Sequence, residues 1–134
     1  MKTIILSILM LLGLSSAGLA AEDCANAEDQ ATMSVCAADD FKSADETLNS
    51  QYRDIVARLA DNADAKGLLV AAQRAWVAFR DAECAFQTSA SAGGSIYPML
   101  HAQCMATLTT ERSAAFETYL SCEEGDMSCP VPAQ

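Results

Sequence analysis

The sequence has few basic residues: eight lysines and arginines stand against eighteen aspartates and glutamates, with one histidine. Its formal net charge is −10 at pH 7. A chain this acidic is repelled by phosphate backbones and by anionic lipid, which argues against nucleic-acid binding and against binding to a membrane surface. We expect no nucleic-acid partner, whereas a cationic protein would be attracted.

Residue patterns that carry catalysis are also missing. No Gly-rich phosphate loop follows a strand, no G-x-S-x-G elbow occurs, and the acidic residues form no paired-carboxylate pattern. His101 lies near Cys104, but a zinc site would need further free Cys or His ligands. The sequence predicts a protein that is not an enzyme and that has no cofactor and no metal.

A long apolar run occurs only near the start of the chain. Lys2 precedes a nearly unbroken apolar run at 4–14, and small residues follow at 15–21. This order is typical of a secretory signal peptide, and the run is too short to span a bilayer as a mature helix. We expect residues 1–20 to be removed after Ala20, leaving a periplasmic or secreted protein of net charge −11. No cysteine follows the cut directly, so we expect no membrane anchor.

All six cysteines follow the predicted signal peptide. An even number in a small exported domain is typical of three disulfides, and six cysteines allow fifteen pairings. Short loops favour the pairs Cys24–Cys36, Cys84–Cys104 and Cys122–Cys129. The first pair requires a turn after Cys24, because a continuous helix would hold these two residues about 18 Å apart.

The rest of the sequence has no strand-like alternation, and its apolar residues recur at helical spacing. We predict an all-α fold: a disulfide-stapled antiparallel bundle of three long helices plus a short N-terminal helix. The short helix covers 24–38, with Asp29 able to cap it, and the long helices cover about 43–60, 65–86 and 99–121. Asp39-Asp40 marks a break and Ser43 to Glu46 match a capping box, although a helix continuing through Asp40 is the alternative. Residues 21–121 form one helical domain, and 122–134 form a short tail held by a disulfide.

The stretch from Gln73 to Cys84 contains the sole tryptophan. We expect one apolar face of its helix to lie in the core together with Tyr52 of the preceding helix. The residues assigned to that face are Leu68, Leu69, Ala72, Trp76 and Phe79.

Arginines interrupt these apolar helices. Arg80 lies at the edge of the Trp76 face, where a cation must reach solvent or meet a carboxylate. Asp45, Asp81 and Glu83 are candidate acids for Arg80 or for Arg112. We expect an Arg80–Asp45 pair, although Asp45 could instead favour the first turn of its own helix through the helix dipole.

One long irregular segment, 88–98, separates the last two predicted helices. Its glycines allow backbone conformations that other residues avoid, and its proline suits the first turn of a helix. Ile96 and Tyr97 either pack beneath this loop or face a partner. The candidate partner-binding loop, held between Cys84 and Cys104, is Gly93, Gly94, Ser95, Ile96, Tyr97 and Pro98.

Four blocks in this order resemble the lysozyme inhibitor LprI-like N-terminal domain family of small exported helical proteins, mostly of unknown function. The blocks are Ala44-Asp45…Leu48-Asn49…Tyr52, Gln73-Arg74-Ala75-Trp76…Phe79-Arg80-Asp81…Cys84, Gly93-Gly94-Ser95…Pro98 and Cys104…Leu108-Thr109…Arg112. The resemblance implies a disulfide-bonded helical bundle and, from the family name, inhibition of lysozyme. The chain departs from the family in lacking a lipidation cysteine and in having Cys122 and Cys129.

Two hypotheses for function follow. The first is an exported inhibitor of lysozyme that acts by protein–protein binding, since vertebrate-type lysozymes are strongly basic and would be attracted to an acidic chain. The second is an envelope interaction module that binds another envelope protein and has no effect on lysozyme. The sequence leaves the oligomeric state open.

Overall fold

The computed structural model describes residues 24–133, so the predicted signal peptide and Gln134 lie outside the described residues. The described chain forms three long helices: α1 (Gln30–Arg58), α2 (Ala63–Gln87) and α3 (Tyr97–Leu120), with a 3₁₀ turn at Ser89–Ser91. No strand occurs within residues 24–133, and the all-α prediction is confirmed. None of the helices in this part of the chain combines the length and the apolar character that a membrane span needs.

Asp29 fixes the start of α1. Its carboxylate accepts hydrogen bonds from the Thr32 backbone N–H at 2.9 Å and from the Thr32 hydroxyl at 2.6 Å. The expectation that Asp29 caps a helix is confirmed. These hydrogen bonds hold the pKa of Asp29 below its usual range, because they favour the ionised carboxylate, and the bond from the Thr32 hydroxyl has the larger effect.

The chain turns just before this cap and brings the Cα atoms of Cys24 and Cys36 to 5.6 Å, joined by a disulfide. The expected separate helix over 24–38 is not confirmed, since residues from Gln30 onward belong to α1.

The expected break at Asp39-Asp40 is wrong, because α1 runs through both residues without interruption. Both aspartates are exposed, whereas the inward positions of α1 keep a spacing of three or four on either side of them. Ser43 does not cap a helix; its backbone carbonyl accepts a hydrogen bond from the Thr47 hydroxyl. The inward positions are Ala37, Phe41, Ala44, Leu48, Tyr52 and Ile55.

The closest helix pair is α1 with α3, which lie parallel. Near their N-termini, Gln30 contacts Met99, and in their C-terminal parts the ring centres of Tyr52 and Phe116 lie 6.2 Å apart. At their C-termini, Nη1 of Arg58 donates to the Leu120 carbonyl oxygen at 2.8 Å. Helix α2 runs the opposite way, beginning where the Asn62 side chain accepts a hydrogen bond from Ala65 N–H.

The orientation of α2 differs from the expected one. Trp76 is half-buried, but Phe79 is 54% exposed and Leu68 is 74% exposed, so their assignment to the core is wrong. Arg80 and Cys84 are the buried residues of this helix. Because α2 is apolar on more than one side, apolar spacing alone does not determine which side faces the core. The polar contacts of Arg80 and the disulfide of Cys84 determine it.

The main core lies at the end of the bundle where α1 and α3 finish. Its buried residues are Leu48, Ile55, Leu59, Phe116, Cys122 and Val131. Two of them belong to the segment after α3, where Cys122 is bonded to Cys129 and Gly125 turns the chain at a φ of +87°. Val131 is only 3% exposed, so the C-terminal segment completes the core.

We predict that Val131→Ala lowers the free energy of unfolding by about 1–3 kcal/mol, because it removes buried methyl groups and leaves a cavity. Val35→Ala is the matched control, since Val35 is 61% exposed on α1 and alanine is the better helix former. Urea denaturation followed by circular dichroism measures both changes. Equal stability of the two variants would show that the C-terminal segment adds nothing to the core.

Candidate partner-binding surfaces

Arg80 joins the three helices through one guanidinium group. Its Nη2 lies 2.9 Å and its Nε 3.0 Å from Oδ1 of Asp81, and its Nη1 lies 3.5 Å from Oδ1 of Asp45 on α1. Nη1 also donates to the Thr109 hydroxyl of α3 at 3.3 Å. Arg80 is 8% exposed, so these bonds supply the partners that burial of a cation requires.

Aromatic rings enclose the same cation. The guanidinium carbon of Arg80 lies 5.2 Å from the Trp76 ring centre and 5.3 Å from that of Phe41. Both distances are within the range of cation–π attraction. Trp76 and Asp45 thus both contact the guanidinium of Arg80, although they lie far apart in sequence. This shared contact explains why both residues belong to the sequence blocks quoted above.

Arg112 forms a second, smaller contact group on α3. Its Nε donates to Oε1 of Gln73 at 3.0 Å, and its guanidinium lies 4.6 Å from the Phe116 ring centre and 6.0 Å from that of Trp76. Among the described residues, Glu83 forms no salt bridge with either arginine. Arg80 and Arg112 therefore hold the Trp76 region in place from two sides.

Phe41, Thr109 and Gln73 are contact residues that sequence reasoning did not assign. Phe41 could have been found, because it continues the apolar spacing of α1 once the helix is extended through Asp40. Thr109 is fully buried, but a threonine within a helix gives no sequence signal for an arginine partner.

The predicted loop, 93–98, lies between α2 and α3. The disulfide between Cys84 and Cys104 brackets it, with Cα atoms 5.6 Å apart. Gly93 has a φ of +78°, which favours glycine, and a Cβ on Gly94 would make a tight contact of 3.1 Å with the Ser91 carbonyl oxygen. Backbone hydrogen bonds from Gly94 N–H to Ser91 O at 2.9 Å and from Tyr97 N–H to Gly94 O at 3.2 Å support this loop conformation.

The tip and the base of this loop differ in exposure. Gly93, Gly94 and Ser95 are exposed, and Ile96 is 40% exposed. Tyr97 is half-buried at the start of α3, with its ring 5.5 Å from His101, and Pro98 lies in the first turn. The exposed part of the loop that can meet a partner is thus 93–96 together with Pro98.

An acidic surface lies at the opposite end of the bundle. Asn62, in the turn between α1 and α2, lines one groove with the loop closed by Cys122–Cys129. We call the exposed carboxylates of this turn, of the first turn of α2 and of the C-terminal loop the acidic end: Asp61, Asp64, Glu123, Glu124 and Asp126. Hydrogen bonds from Ser128 hold the pKa of Asp126 below its usual range, so this carboxylate stays charged in mildly acidic solution. At 1.5 Å per residue, the length of α2 separates this end from the loop by about 35 Å.

Within residues 24–133, no group of three or more His, Cys, Asp or Glu side chains could hold a metal ion. Every cysteine in this part of the chain is bonded in a disulfide. What the described surface offers is a rigid loop, an acidic end and the exposed side of α2, and these suit protein binding.

Comparisons with known proteins agree with this picture. The family model described as lysozyme inhibitor LprI matches residues 20–116. The uncharacterized protein R02472 of Rhizobium meliloti (strain 1021) is 35% identical over 113 residues, which cover 76% of this chain and 81% of the relative. No solved structure matches the chain significantly. The loop closed by Cys122 and Cys129 lies beyond the residues that the family model matches.

We predict that Arg80→Ala lowers the free energy of unfolding by about 3 kcal/mol, the lower end of the range for a buried pair, because Asp45 and Asp81 are partly exposed. Arg53→Ala, which removes an exposed cation from α1, should change the free energy by less than about 0.5 kcal/mol. Thermal melts of both variants make the comparison. An Arg80→Ala melting temperature equal to that of the wild type would contradict the structural role of this cation.

Proposed function

We propose that this chain, which belongs to the lysozyme inhibitor LprI family, is an exported protein that inhibits lysozyme by binding to it. The family match over residues 20–116 is the observation that carries the proposal. Export is supported by the leader-like pattern at 1–20 and by the three disulfides, since disulfides persist in oxidising compartments such as the periplasm.

Charge supports a basic enzyme as the target. The five carboxylates of the acidic end are exposed, and nearby Arg58 donates to the Leu120 carbonyl rather than to a carboxylate. A cationic protein approaching this end meets an attractive potential that raises the association rate. Screening shortens this attraction to about 10 Å at 0.1 M salt, so it should weaken as salt is added.

The loop is the element that we assign to contact with the carbohydrate cleft of the enzyme. Residues 93–95 have small side chains, so the tip is narrow, and the Cys84–Cys104 disulfide and the Gly94–Ser91 contact hold it rigid. A rigid element loses little conformational entropy on binding, which favours affinity. Because the loop and the acidic end lie about 35 Å apart, more than three screening lengths at 0.1 M salt, each can be tested separately.

We predict dose-dependent inhibition when oxidised residues 21–134 are titrated against a basic vertebrate-type lysozyme acting on bacterial cell walls. Inhibition should be stronger at low than at moderate ionic strength, because screening weakens attraction between opposite charges. An unrelated acidic protein of similar net charge serves as the control for nonspecific binding. No inhibition at large molar excess, with the helical spectrum intact, would reject the proposal and favour an envelope interaction module instead.

We predict that Ser95→Lys raises the concentration for half-inhibition at least about tenfold at both salt concentrations, because it places a bulky cation in the contact with a basic enzyme. Ser50→Lys, at an exposed position of α1, is the matched control and should have little effect.

Neutralising the acidic end with Glu123→Gln and Glu124→Gln should weaken inhibition only at low salt, because these side chains act through long-range attraction. The reverse pattern, with Ser95→Lys silent and the double variant inactive at both salt concentrations, would move the contact surface from the loop to the acidic end.

A further inference from the structure

The exposed side of α2 is apolar along most of the helix. Nine of the exposed residues of α2 are alanine, leucine or phenylalanine and lie on one side of the helix, with the exposed Arg74 and Asp81 at its edge. Phe79 is 54% exposed, and Leu68 and Phe86 are each 74% exposed. We call this set the outer face of α2: Leu68, Ala71, Ala72, Ala75, Ala78, Phe79, Ala82, Ala85 and Phe86. Large apolar side chains grouped on one surface mark a site of protein contact.

The order of residues on this face is that of a helix-pairing seam. Leu68, Ala72, Ala75, Phe79, Ala82 and Phe86 follow one another at alternating spacings of four and three. This spacing keeps one stripe toward a partner helix, and alanines within it let two helix backbones approach closely. All six residues of the stripe are exposed in the described chain. At its N-terminal end, Leu68 and Ala72 line a groove together with Tyr119 of α3 and with Pro130 and Val131.

We propose that the outer face of α2 pairs with the same face of a second copy of this chain, forming an antiparallel two-fold dimer. The residue order is compatible with this symmetry. With the axis at Val77, Leu68 of one copy faces Phe86 of the other, and Ala75 faces Phe79. Each exposed phenylalanine thus meets an apolar partner, and the remaining seam pair, Ala72 with Ala82, allows close approach.

Charge on α2 also suits a second copy as the occupant. The helix carries three acidic and three basic residues, so it is neutral in a strongly acidic chain. Two copies that meet along α2 therefore avoid direct contact between their acidic surfaces. In the antiparallel arrangement Arg74, which forms no salt bridge within residues 24–133, comes near the partly exposed Asp81 of the other copy.

The area available is sufficient for a dimer. An aromatic side chain offers about 150–250 Å², so the exposed parts of Leu68, Phe79 and Phe86 amount to about 400 Å², and the alanines bring the face to roughly 600 Å². Two such faces bury about 1,200 Å², the lower end of the range for specific interfaces. We therefore expect a reversible dimer with a dissociation constant in the micromolar range.

The test measures the mass of oxidised residues 21–134 by sedimentation equilibrium over about 1–500 μM protein. We expect a shift from monomer to dimer, and a tighter dimer at higher salt, because added salt screens the repulsion between two acidic chains. Added salt should strengthen the dimer but weaken inhibition of a basic lysozyme. The sedimentation measurement and the inhibition assay can therefore reject the two proposals separately.

Phe86→Glu should weaken the dimer at least about tenfold, because it buries a charge in an apolar contact. Val35→Glu, which places the same charge at an exposed apolar position of α1, is the matched control and should leave the dimer intact. Phe79→Ser is the second test variant, and circular dichroism checks that each variant is folded. A monomer at all concentrations, or a dimer unchanged by both phenylalanine variants, would overturn the proposal.

Register is tested with a short thiol-reactive cross-linker. Ala72→Cys and Ala82→Cys each add one free thiol to a chain whose described cysteines are all bonded. A mixture of the two variants should cross-link efficiently, whereas either alone should not, because identical positions lie about 15 Å apart along the axis. Cross-linking of each variant with itself, and not in the mixture, would show parallel pairing and would overturn the antiparallel dimer.

Discussion

The buried guanidinium of Arg80 is the contact on which the arrangement of the helices depends. A cation at this depth must be bonded on several sides, and its partners come from all three helices: Asp45 from α1, Asp81 from α2 itself and Thr109 from α3. The contacts that Arg80 makes with these partners fix the rotation of α2 about its own axis. That rotation turns Trp76 inward and leaves Phe79 in solvent, so one buried charge determines which apolar residues remain exposed.

How far the sequence predicts this fold depends on how many solutions each pattern allows. Cysteines separated by short loops allow few disulfide pairings, and the structure contains the three favoured ones. An arginine within an apolar helix allows few partners, and the structure contains the Arg80–Asp45 contact. At Asp39-Asp40 the local residue types favour a break, but the apolar spacing that runs through both residues keeps them within α1. The alanine-rich α2 offers two apolar faces, so its orientation could not be derived from spacing. The acidic end brings together segments about sixty residues apart, and this proximity has no local signal.

Charge divides the molecule into regions of different character. The acidic end gathers carboxylates from the α1–α2 turn, from the first turn of α2 and from the C-terminal loop, whereas α2 as a whole balances three acids with three bases. The predicted loop, 93–98, has no charged side chain. Salt therefore has opposite expected effects on contacts at the acidic end and on contacts along α2. A protein with both kinds of surface can associate with unlike partners through physically independent forces.

The parallel packing of α1 against α3 has a consequence for how the chain folds. Its contacts join residues far apart in sequence: the sequence separation is 69 for Gln30 and Met99 and 62 for Arg58 and Leu120. Helical bundles usually fold fast because their contacts are local, but here most of the packing requires closure of a long loop. We expect slower folding than in a bundle whose successive helices make the main contacts. A fragment that ends with α2 would lack most of the packing surface of α1, so the native state should form only once α3 is available.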